Sequence, residues 1–224
     1  MISQVICITG GANGLCRQLA AYFSLTAKVI ILDIDAKTLS QVADKFGCDF
    51  QVCDVTDSES INKAVKNIIK KYHQIDCFIN SAGLYIDGEI ESNHPDKIKK
   101  VFEVNSMGPI LTSQAIVPYL KKQKSGTIIN INSTAGLHPK AFNSVYHSSK
   151  WALTGFTESL QAELATFKIK VVDLRPGVMN TNFTKGTNTD LSHSLDPHYV
   201  VKAIDFILTL PPEVTISELT IHHL

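Results

Sequence analysis

The chain has 224 residues, 44% of them hydrophobic, and it carries 21 basic and 21 acidic side chains. This length favours one domain, and the apolar content is sufficient for a sizeable core. Because the formal net charge is zero, no global field attracts the chain to nucleic acid or to an anionic membrane, and neither is expected as a partner.

The cysteines and the first residues of the chain indicate its cellular compartment. Five cysteines are scattered singly, without a C-x-x-C pair, as expected in a reducing compartment. The N-terminus enters a strand-like run at once, with neither a signal peptide nor a long apolar segment. The eight histidines show no metal-ligand spacing. We therefore expect a cytoplasmic protein without a metal site.

The first elements form a strand, a glycine-rich turn and a helix. Gln4–Thr9 is a continuous apolar run, which is typical of a strand buried on both faces. Gly10–Gly14 follows, and Leu15, Leu19 and Phe23 then recur at helical spacing. This layout presents backbone N–H groups and a helix N-terminus to a phosphate. The strict G-x-G-x-x-G spacing is absent, and a simple turn is an equal alternative.

The second strand, residues 28–33, ends in Asp33, nineteen residues after the last glycine of the turn. A dinucleotide fold places a carboxylate at about this distance, where it binds the 2′-hydroxyl of the adenosine ribose and repels a 2′-phosphate. Neither Asn13 nor Ile34 supplies the positive charge that a 2′-phosphate requires. The pattern favours NAD over NADP. The alternative role for Asp33 is to cap the next helix, which Asp35 could do instead.

Helices and strands continue to alternate up to the C-terminus. Helical spacing predicts helices at 36–46, 58–72, 96–121, 145–166 and 196–210, and short apolar runs predict strands at 49–53, 75–79, 126–131, 169–174 and 214–221. Gly108-Pro109 is expected to bend or interrupt the helix at 96–121. Such alternation predicts an α/β fold: a doubly wound, Rossmann-type sheet of about seven mostly parallel strands with helices on both faces. Ligands of such sheets bind at the carboxyl ends of the strands.

Tyr146 and Lys150 lie four residues apart, a spacing that places two side chains on one face of a helix. A nearby ammonium favours the phenolate and lowers the pKa of a tyrosine from its usual value of about 10. The pair could then exchange a proton with a substrate oxygen near neutral pH. The alternative is an ordinary helix start, with the tyrosine packed and the lysine solvated.

Two further features allow two interpretations each. Asn105 is polar on the inward stripe of its helix, and it is either a satisfied core amide or part of a functional network. Residues 181–196 are rich in Asn, Thr, Ser, Gly and His. This segment is either a flexible substrate lid or a disordered surface segment.

With these motifs in order, the chain resembles the classical short-chain dehydrogenase/reductase family over essentially its whole length. The resemblance implies that residues 1–224 form a single dinucleotide-binding and catalytic domain. The residues that carry it are Thr9–Gly14 (T-G-x-x-x-G), Asp54-Val55, Asn80–Gly83 (N-N-A-G, with Ser81 for the second Asn), Asn105, Ser133, Tyr146, Lys150, Pro176-Gly177 and Thr181.

The chain departs from the family pattern in two places. Cys16 stands where the family has a third glycine, which permits close packing of helix on strand, so the first helix is expected slightly further out. The C-terminal portion is short for the family, which is expected to leave the substrate pocket open.

The resemblance implies a role for each site residue. Tyr146 is the general acid/base, Lys150 lowers its pKa and binds the nicotinamide ribose, Ser133 stabilises charge on the substrate oxygen, and Asn105 holds a water that links Lys150 to solvent. The implied cofactor-binding residues are Gly10, Asn13, Gly14, Leu15, Asp33, Asp54, Val55, Asn80, Ala82, Gly83, Tyr146, Lys150, Pro176, Gly177 and Thr181. The substrate would be flanked by Leu137, His138, Phe142, Met179 and Phe183.

The function expected from the resemblance is NAD(P)(H)-dependent interconversion of a small-molecule alcohol and a carbonyl, with NAD as the favoured cofactor and NADP possible. The family also implies a homodimer or homotetramer formed through the helices at 96–121 and 145–166. A different class of function stays open, in which the chain is a dinucleotide-binding regulator or scaffold with weak or no catalysis, because the fold alone does not exclude it.

Overall fold

The computed structural model describes residues 4–11, 13–187 and 189–224. Within these ranges the chain forms one seven-stranded sheet in the order β3-β2-β1-β4-β5-β6-β7, and all of its strand pairs are parallel. The strands are β1 Val5–Thr9, β2 Lys28–Asp33, β3 Asp49–Val52, β4 Cys77–Asn80, β5 Thr127–Ile131, β6 Lys170–Pro176 and β7 Glu218–Ile221. The predicted doubly wound α/β fold is confirmed.

Helices cover both faces of the sheet. They are α1 Gly14–Phe23, α2 Ala36–Phe46, α3 Ser58–Tyr72, α4 Pro95–Phe102, α5 Gly108–Gln123, α6 Ser144–Leu164 and α7 Pro197–Thr209. The apolar sides of α1, α2 and α7 meet one face of the sheet, and those of α3, α5 and α6 meet the other. The nearly continuous burial of β1, β2, β4, β5 and β6 follows from this arrangement, since both faces of the sheet are covered.

The helix predicted at 96–121 is interrupted in the structure. Residues Glu103–Met107 form a π-helical turn between α4 and α5. Pro109 has no N–H to donate to a preceding turn, and a π-turn inside a helix is frequent at functional sites. This turn contains the fully buried Asn105.

Two predicted strands are shorter than expected. β4 begins at Cys77 rather than at residue 75, and β7 begins at Glu218 rather than at residue 214. In the second case the N–H of Val214 closes a turn on the carbonyl of Pro211, so the chain enters the sheet later. In the part of the chain that the structure describes, no helix is both long and apolar enough to cross a membrane.

The order of the strands determines where a ligand can bind. β1 lies between β2 and β4, so the chain winds outward from β1 in both directions. The connections that leave β1 and β4 separate at this point and leave a crevice above their carboxyl ends, which is the usual ligand site in open α/β sheets.

Candidate active site

A cleft with a cavity volume of about 820 Å³ lies above the carboxyl ends of the strands. This is within the usual range of about 300–1,000 Å³ for ligand sites. Most of the predicted site residues line it: Gly10, Asn13, Gly14, Leu15, Asp33, Asp54, Val55, Ala82, Gly83, Ser133, Tyr146, Lys150, Pro176, Gly177 and Thr181. Asn80 and Asn105 lie behind this lining.

The glycine-rich turn borders the cleft with bare backbone. Gly10 has φ +75°, and a Cβ at this position would lie 2.9 Å from the Cα of Ala82. Gly14 has φ +55° and begins α1, and a Cβ at this position would lie 3.8 Å from the Cβ of Thr181. Both residues therefore need to be glycine for conformational reasons. Exposed N–H groups at the start of α1 suit a pyrophosphate, so the turn fits a dinucleotide.

Thr9 and Cys16 tie the glycine-rich turn to the loop after β4. The Thr9 hydroxyl accepts hydrogen bonds from the N–H groups of Ser81 (3.0 Å) and Ala82 (3.2 Å). The thiol of Cys16 donates to the Thr9 carbonyl (3.3 Å) and lies 3.1 Å from the Ser81 hydroxyl. Cys16, which stands in place of a family glycine, and Ser81, which stands in place of a family asparagine, are thus in contact with each other.

Asp33 and Asp35 have different surroundings at the end of β2. Asp35 caps α2, since its carboxylate accepts from the N–H groups of Lys37 and Thr38 at 3.1 Å each. Asp33 lines the cleft beside the exposed Ile34, and its carboxylate accepts from the N–H of Asp35 (3.1 Å). The helix-capping alternative for Asp33 is therefore taken by Asp35.

Asp54 and Val55 line the same side of the cleft after β3. The Asp54 carboxylate accepts from the N–H (2.8 Å) and the hydroxyl (2.7 Å) of Thr56. Partial burial favours the neutral acid, but these bonds and the charge of Lys100 outweigh it and lower the pKa of Asp54. The carboxylate is thus held ionised in a fixed orientation.

Asn80 and Asn105 belong to buried networks under the cleft. Asn80 donates to Asn130 (2.8 Å) and accepts from Thr112 (2.7 Å). Asn105 accepts from the N–H of Leu84 (2.7 Å) and donates to its carbonyl (2.8 Å) and to the hydroxyl of Ser149 (3.0 Å). The two amides fix the loop after β4 against the helices behind it.

Tyr146 is 8% exposed and reaches the cleft from the first turn of α6. Burial raises its pKa, and the side-chain hydrogen bond with Ser133 only partly opposes this effect. The expectation that Lys150 lowers this pKa below its usual value is therefore wrong for the chain by itself. The physical reason is that an enclosed phenol loses solvation when it ionises, and in this state the cleft holds the neutral phenol.

Lys150 is 4% exposed and lies one turn further along α6. Its ammonium donates to the carbonyl of Ile131 (2.9 Å) and lies 5.9 Å from the centre of the Tyr146 ring. Burial lowers the pKa of Lys150 from 10.5 to about 8, while the negative charge of Asp173 acts in the opposite direction. Lys150 is therefore not the solvated lysine of an ordinary helix start.

The part of the cleft around Tyr146 is aromatic. The ring of Tyr85 lies 4.9 Å from that of Tyr146 in an edge-on arrangement, and the ring of Phe183 lies 6.2 Å from that of Tyr146. Sequence reasoning missed Tyr85, although its position two residues after Asn80–Gly83 is a signal that could have found it. Its hydroxyl donates to Asn143.

The residues expected to flank the substrate divide into two groups. His138, Met179 and Phe183 line the cleft, whereas Leu137 and Phe142 lie outside its lining. Phe142 is 64% exposed, and its φ of +62° places it in a left-handed turn. The spacing of residues along the chain does not reveal this turn.

The segment expected to form a lid begins beside the glycine-rich turn. Thr181 faces Gly14, and the Phe183 ring would lie 3.5 Å from a Cβ placed on Gly83. Met179 pairs with Leu195 in an isolated bridge, which brings the two ends of the segment together. Its described residues thus extend along the mouth of the cleft.

Comparisons with known proteins agree with this architecture. A family model described as short chain dehydrogenase matches residues 4–192. An uncharacterized oxidoreductase of Staphylococcus epidermidis is 31% identical over 221 residues, which are 97% of this chain and 96% of that protein.

Solved structures are similar over nearly the whole chain. An alcohol dehydrogenase from the archaeon Thermococcus sibiricus, complexed with 5-hydroxy-NADP, has a TM-score of 0.90 at 22% identity and covers 98% of this chain and 96% of its own. A 3-ketoacyl-(acyl-carrier-protein) reductase from Brucella melitensis, complexed with NADH, has a TM-score of 0.90 at 25% identity. The match covers 97% of this chain and 96% of the reductase. Because the family model spans most of its length, the chain belongs to the short-chain dehydrogenase family.

Proposed function

We propose that this protein interconverts an alcohol and a carbonyl by hydride transfer, with a nicotinamide dinucleotide as cofactor and Tyr146 as general acid/base. The observation that carries the proposal is a buried phenol that lines the cleft together with Ser133, with the buried Lys150 one turn further along the same helix. Regulators and scaffolds have no need of this arrangement.

In this proposal each residue acts at a defined atom. The Tyr146 hydroxyl donates its proton to the carbonyl oxygen, and the Ser133 hydroxyl donates a hydrogen bond to the same oxygen as negative charge develops there. The Lys150 ammonium favours the phenolate that is left behind. Asn105 fixes the backbone at Leu84 beside the cleft. Its further proposed role is to hold a water that links Lys150 to solvent. When bound, the nicotinamide supplies or accepts the hydride.

Burial raises the pKa of Tyr146, so the phenol is neutral before reaction. The neutral phenol donates a proton to a carbonyl in reduction, and the phenolate accepts one from an alcohol in the reverse reaction. The aromatic lining formed by Tyr85, Tyr146 and Phe183 fits an aldehyde or ketone with an apolar body.

We infer NAD(H) as the preferred cofactor, with NADP(H) as the alternative. Asp33 lines the cleft where the adenosine ribose of a dinucleotide would lie, and the adjacent Ile34 brings no positive charge. Similar structures do not decide between the two, since the T. sibiricus enzyme holds 5-hydroxy-NADP and the B. melitensis enzyme holds NADH.

The activity is tested with a panel of aldehydes and ketones, following NADH and NADPH oxidation. Tyr146→Phe should lower kcat by about 10²- to 10⁴-fold, the usual contribution of a general acid, without weakening cofactor binding. The matched control is Tyr85→Phe. It removes the hydroxyl of a second tyrosine, whose ring centre lies 4.9 Å from that of Tyr146, and it should keep activity within about tenfold of the wild type.

The outcome that contradicts the proposal is binding of NADH without reduction of any carbonyl, together with a Tyr146→Phe variant indistinguishable from the wild type. The chain would then be a dinucleotide-binding regulator or scaffold.

Cofactor preference is tested with Asp33→Ala. Loss of hydrogen bonds to a carboxylate, each contributing about 1.5–3 kcal/mol, should weaken NADH by tenfold or more and should improve NADPH. Asp54→Asn is the matched control, since it neutralises another carboxylate of the same cleft and should affect both cofactors alike. If Asp33→Ala leaves the ratio of NADH to NADPH affinity unchanged, the preference for NAD is wrong.

We further propose that residues 1–224 act as one dinucleotide-binding and catalytic domain, with the segment 181–196 as a flexible substrate lid. A homodimer or homotetramer through α4–α5 and α6 fits the exposed Met107 and Trp151 on these helices, and light scattering on the purified protein measures it. Five free cysteines support a cytoplasmic location.

A further inference from the structure

β6 carries two charged side chains into the interior beneath the active site. Asp173 is 0% exposed and Arg175 is 4% exposed, and residues two apart on a strand share a face. The Nε and Nη2 atoms of Arg175 lie 2.9 and 2.8 Å from the same carboxylate oxygen, Oδ2 of Asp173. Arg175 also contacts Glu218 and Glu158 at its outer end. The ion pair therefore runs from the surface inward.

The inner end of this ion pair faces the catalytic helix. The side-chain amide of Asn132 donates to Oδ2 of Asp173 (3.3 Å) and to the hydroxyl of Thr154 (2.8 Å). That hydroxyl in turn bonds to the carbonyl of Lys150, one turn earlier on α6 (3.2 Å). Asp173 is thus linked to the backbone of Lys150 through two neutral side chains.

Asp173 and Lys150 also interact electrostatically. Each charge favours the ionised form of the other, against burial, which disfavours both. Within the described residues, Oδ1 of Asp173 has no hydrogen-bond partner, so half of this buried carboxylate is not used by the local structure. Buried ion pairs add little to stability compared with apolar packing, so a structural role alone does not account for it.

Among the described residues, the charged and titratable groups around this centre come from three elements and one loop. α6 contributes Tyr146, His147, Lys150 and Glu158, β6 contributes Asp173 and Arg175, β7 contributes Glu218, and the loop after β4 contributes Tyr85. Of these, Asp173 is the buried negative charge that acts on Lys150, whereas both glutamates contact Arg175 at its outer end.

We propose that Asp173 is a positioning residue for catalysis: its carboxylate, paired with Arg175 and bound to Asn132, holds Lys150 in its ammonium form behind Tyr146. The inference rests on the proposed function, because it assigns Asp173 a part in keeping the charge that the phenolate needs. A neutral residue 173 would leave the buried ammonium without this counter-charge, and Lys150 would lose its proton at lower pH.

The direct test is a carbon-13 NMR titration of Lys150 in the full chain, labelled at lysine Cε and assigned by the signal lost in Lys150→Met. Asp173→Asn and the smaller Asp173→Ser should each lower the midpoint by about one to two pH units, the size expected for unit charges at an effective dielectric constant of about 20. Arg175 keeps Glu218 and Glu158 in both variants. Glu218→Gln, which alters the same ion network at its outer end, should leave the midpoint unchanged.

A second titration, on the wild type labelled at aspartate Cγ and assigned by the signal lost in Asp173→Asn, does not depend on the stability of the variants. The Asp173 carboxyl carbon should show an ionised carboxylate at pH 7 and an inflection at the pH where Lys150 titrates. A protonated Asp173 at pH 7, a missing inflection, or an equal shift in Glu218→Gln would overturn the inference.

Enzyme assays separate this inference from the proposed function. The alkaline limb of the pH profile of kcat/KM should move down by the same amount in Asp173→Asn as the Lys150 midpoint. If the NMR midpoint moves but no carbonyl is reduced, the inference stands and the proposed function fails. If carbonyls are reduced normally and the midpoint does not move, the inference fails and the proposed function stands.

Discussion

Lys150→Met should make the protein more stable while it removes the activity. The ammonium of Lys150 is buried, and its pKa falls from 10.5 to about 8 on folding. At about 1.4 kcal/mol per pKa unit, the charged form costs the folded state about 3 kcal/mol at neutral pH. Methionine has a similar length and carries no charge. Loss of the hydrogen bond to Ile131 lowers the gain in the free energy of unfolding by about 1 kcal/mol. The expected gain in the free energy of unfolding is therefore about 2 kcal/mol at pH 7.

The dependence of this gain on pH identifies its cause. Below pH 8 the lysine is protonated in both states, so the whole penalty is present. Between pH 8 and 10.5 only the unfolded state binds the proton, and the stability of the wild type rises with pH relative to Lys150→Met. The gain should therefore shrink over this window, because the ionisation penalty is lost. The buried cysteines, whose pKa values burial raises, are common to both proteins and cancel in the difference.

Urea unfolding at pH 7 and pH 10 measures both quantities, with Lys122→Met on the exposed side of α5 as the control. The control should change stability by no more than about 0.5 kcal/mol at either pH. A Lys150→Met protein that is less stable than the wild type at pH 7, or a gain that is independent of pH, would refute the view that the enzyme holds a costly charge in its interior for the sake of function.

Three further changes test other parts of the site. Ser133→Ala should lower kcat by about 10²-fold with little change in KM, because its hydroxyl acts on charge that develops in the transition state; an effect confined to KM in steady-state assays would contradict this role. Gly10→Ala should weaken cofactor binding in a fluorescence titration and destabilise the fold, since the residue has φ +75° and its Cβ would meet the backbone of Ala82; wild-type affinity would exclude a close approach there. Cys16→Gly should lower stability by about 1–3 kcal/mol in thermal unfolding, because it removes a buried thiol that contacts Thr9 and Ser81; a variant as stable as the wild type would show that the thiol does not hold the glycine-rich turn.

Much of the fold could be predicted from the sequence because its signals are local. Apolar runs and helical spacing predicted the strands and helices, and their alternation predicted a parallel sheet with two covered faces. The spacing from the glycine-rich turn to Asp33, and from Tyr146 to Lys150, placed these residues at the carboxyl ends of strands or on one helix face. The structure brings all four features to one cleft.

The errors concern interactions between segments far apart in the chain. The helix predicted at 96–121 is broken by the π-turn that places Asn105 against Leu84. Gly108-Pro109 indicates an interruption at this point, but helical spacing does not show that the turn lies before the glycine or that it is π-helical. The pKa of Tyr146 was predicted to fall, because the sequence shows a cation four residues away. It is raised instead, since its value depends on how much water the surrounding elements exclude.

The sequence by itself determined the class of fold, the order of its elements and the residues offered to the cleft, because each of these follows from spacing along a single helix, strand or turn. Only the tertiary structure decided which groups carry charge and which neighbouring charges act on them. Asp173 lies 23 residues after Lys150 in the chain and acts on it only because β6 packs under α6. Solvation and Coulomb energies depend on distances in space and on burial, and neither is encoded in any local pattern of residues.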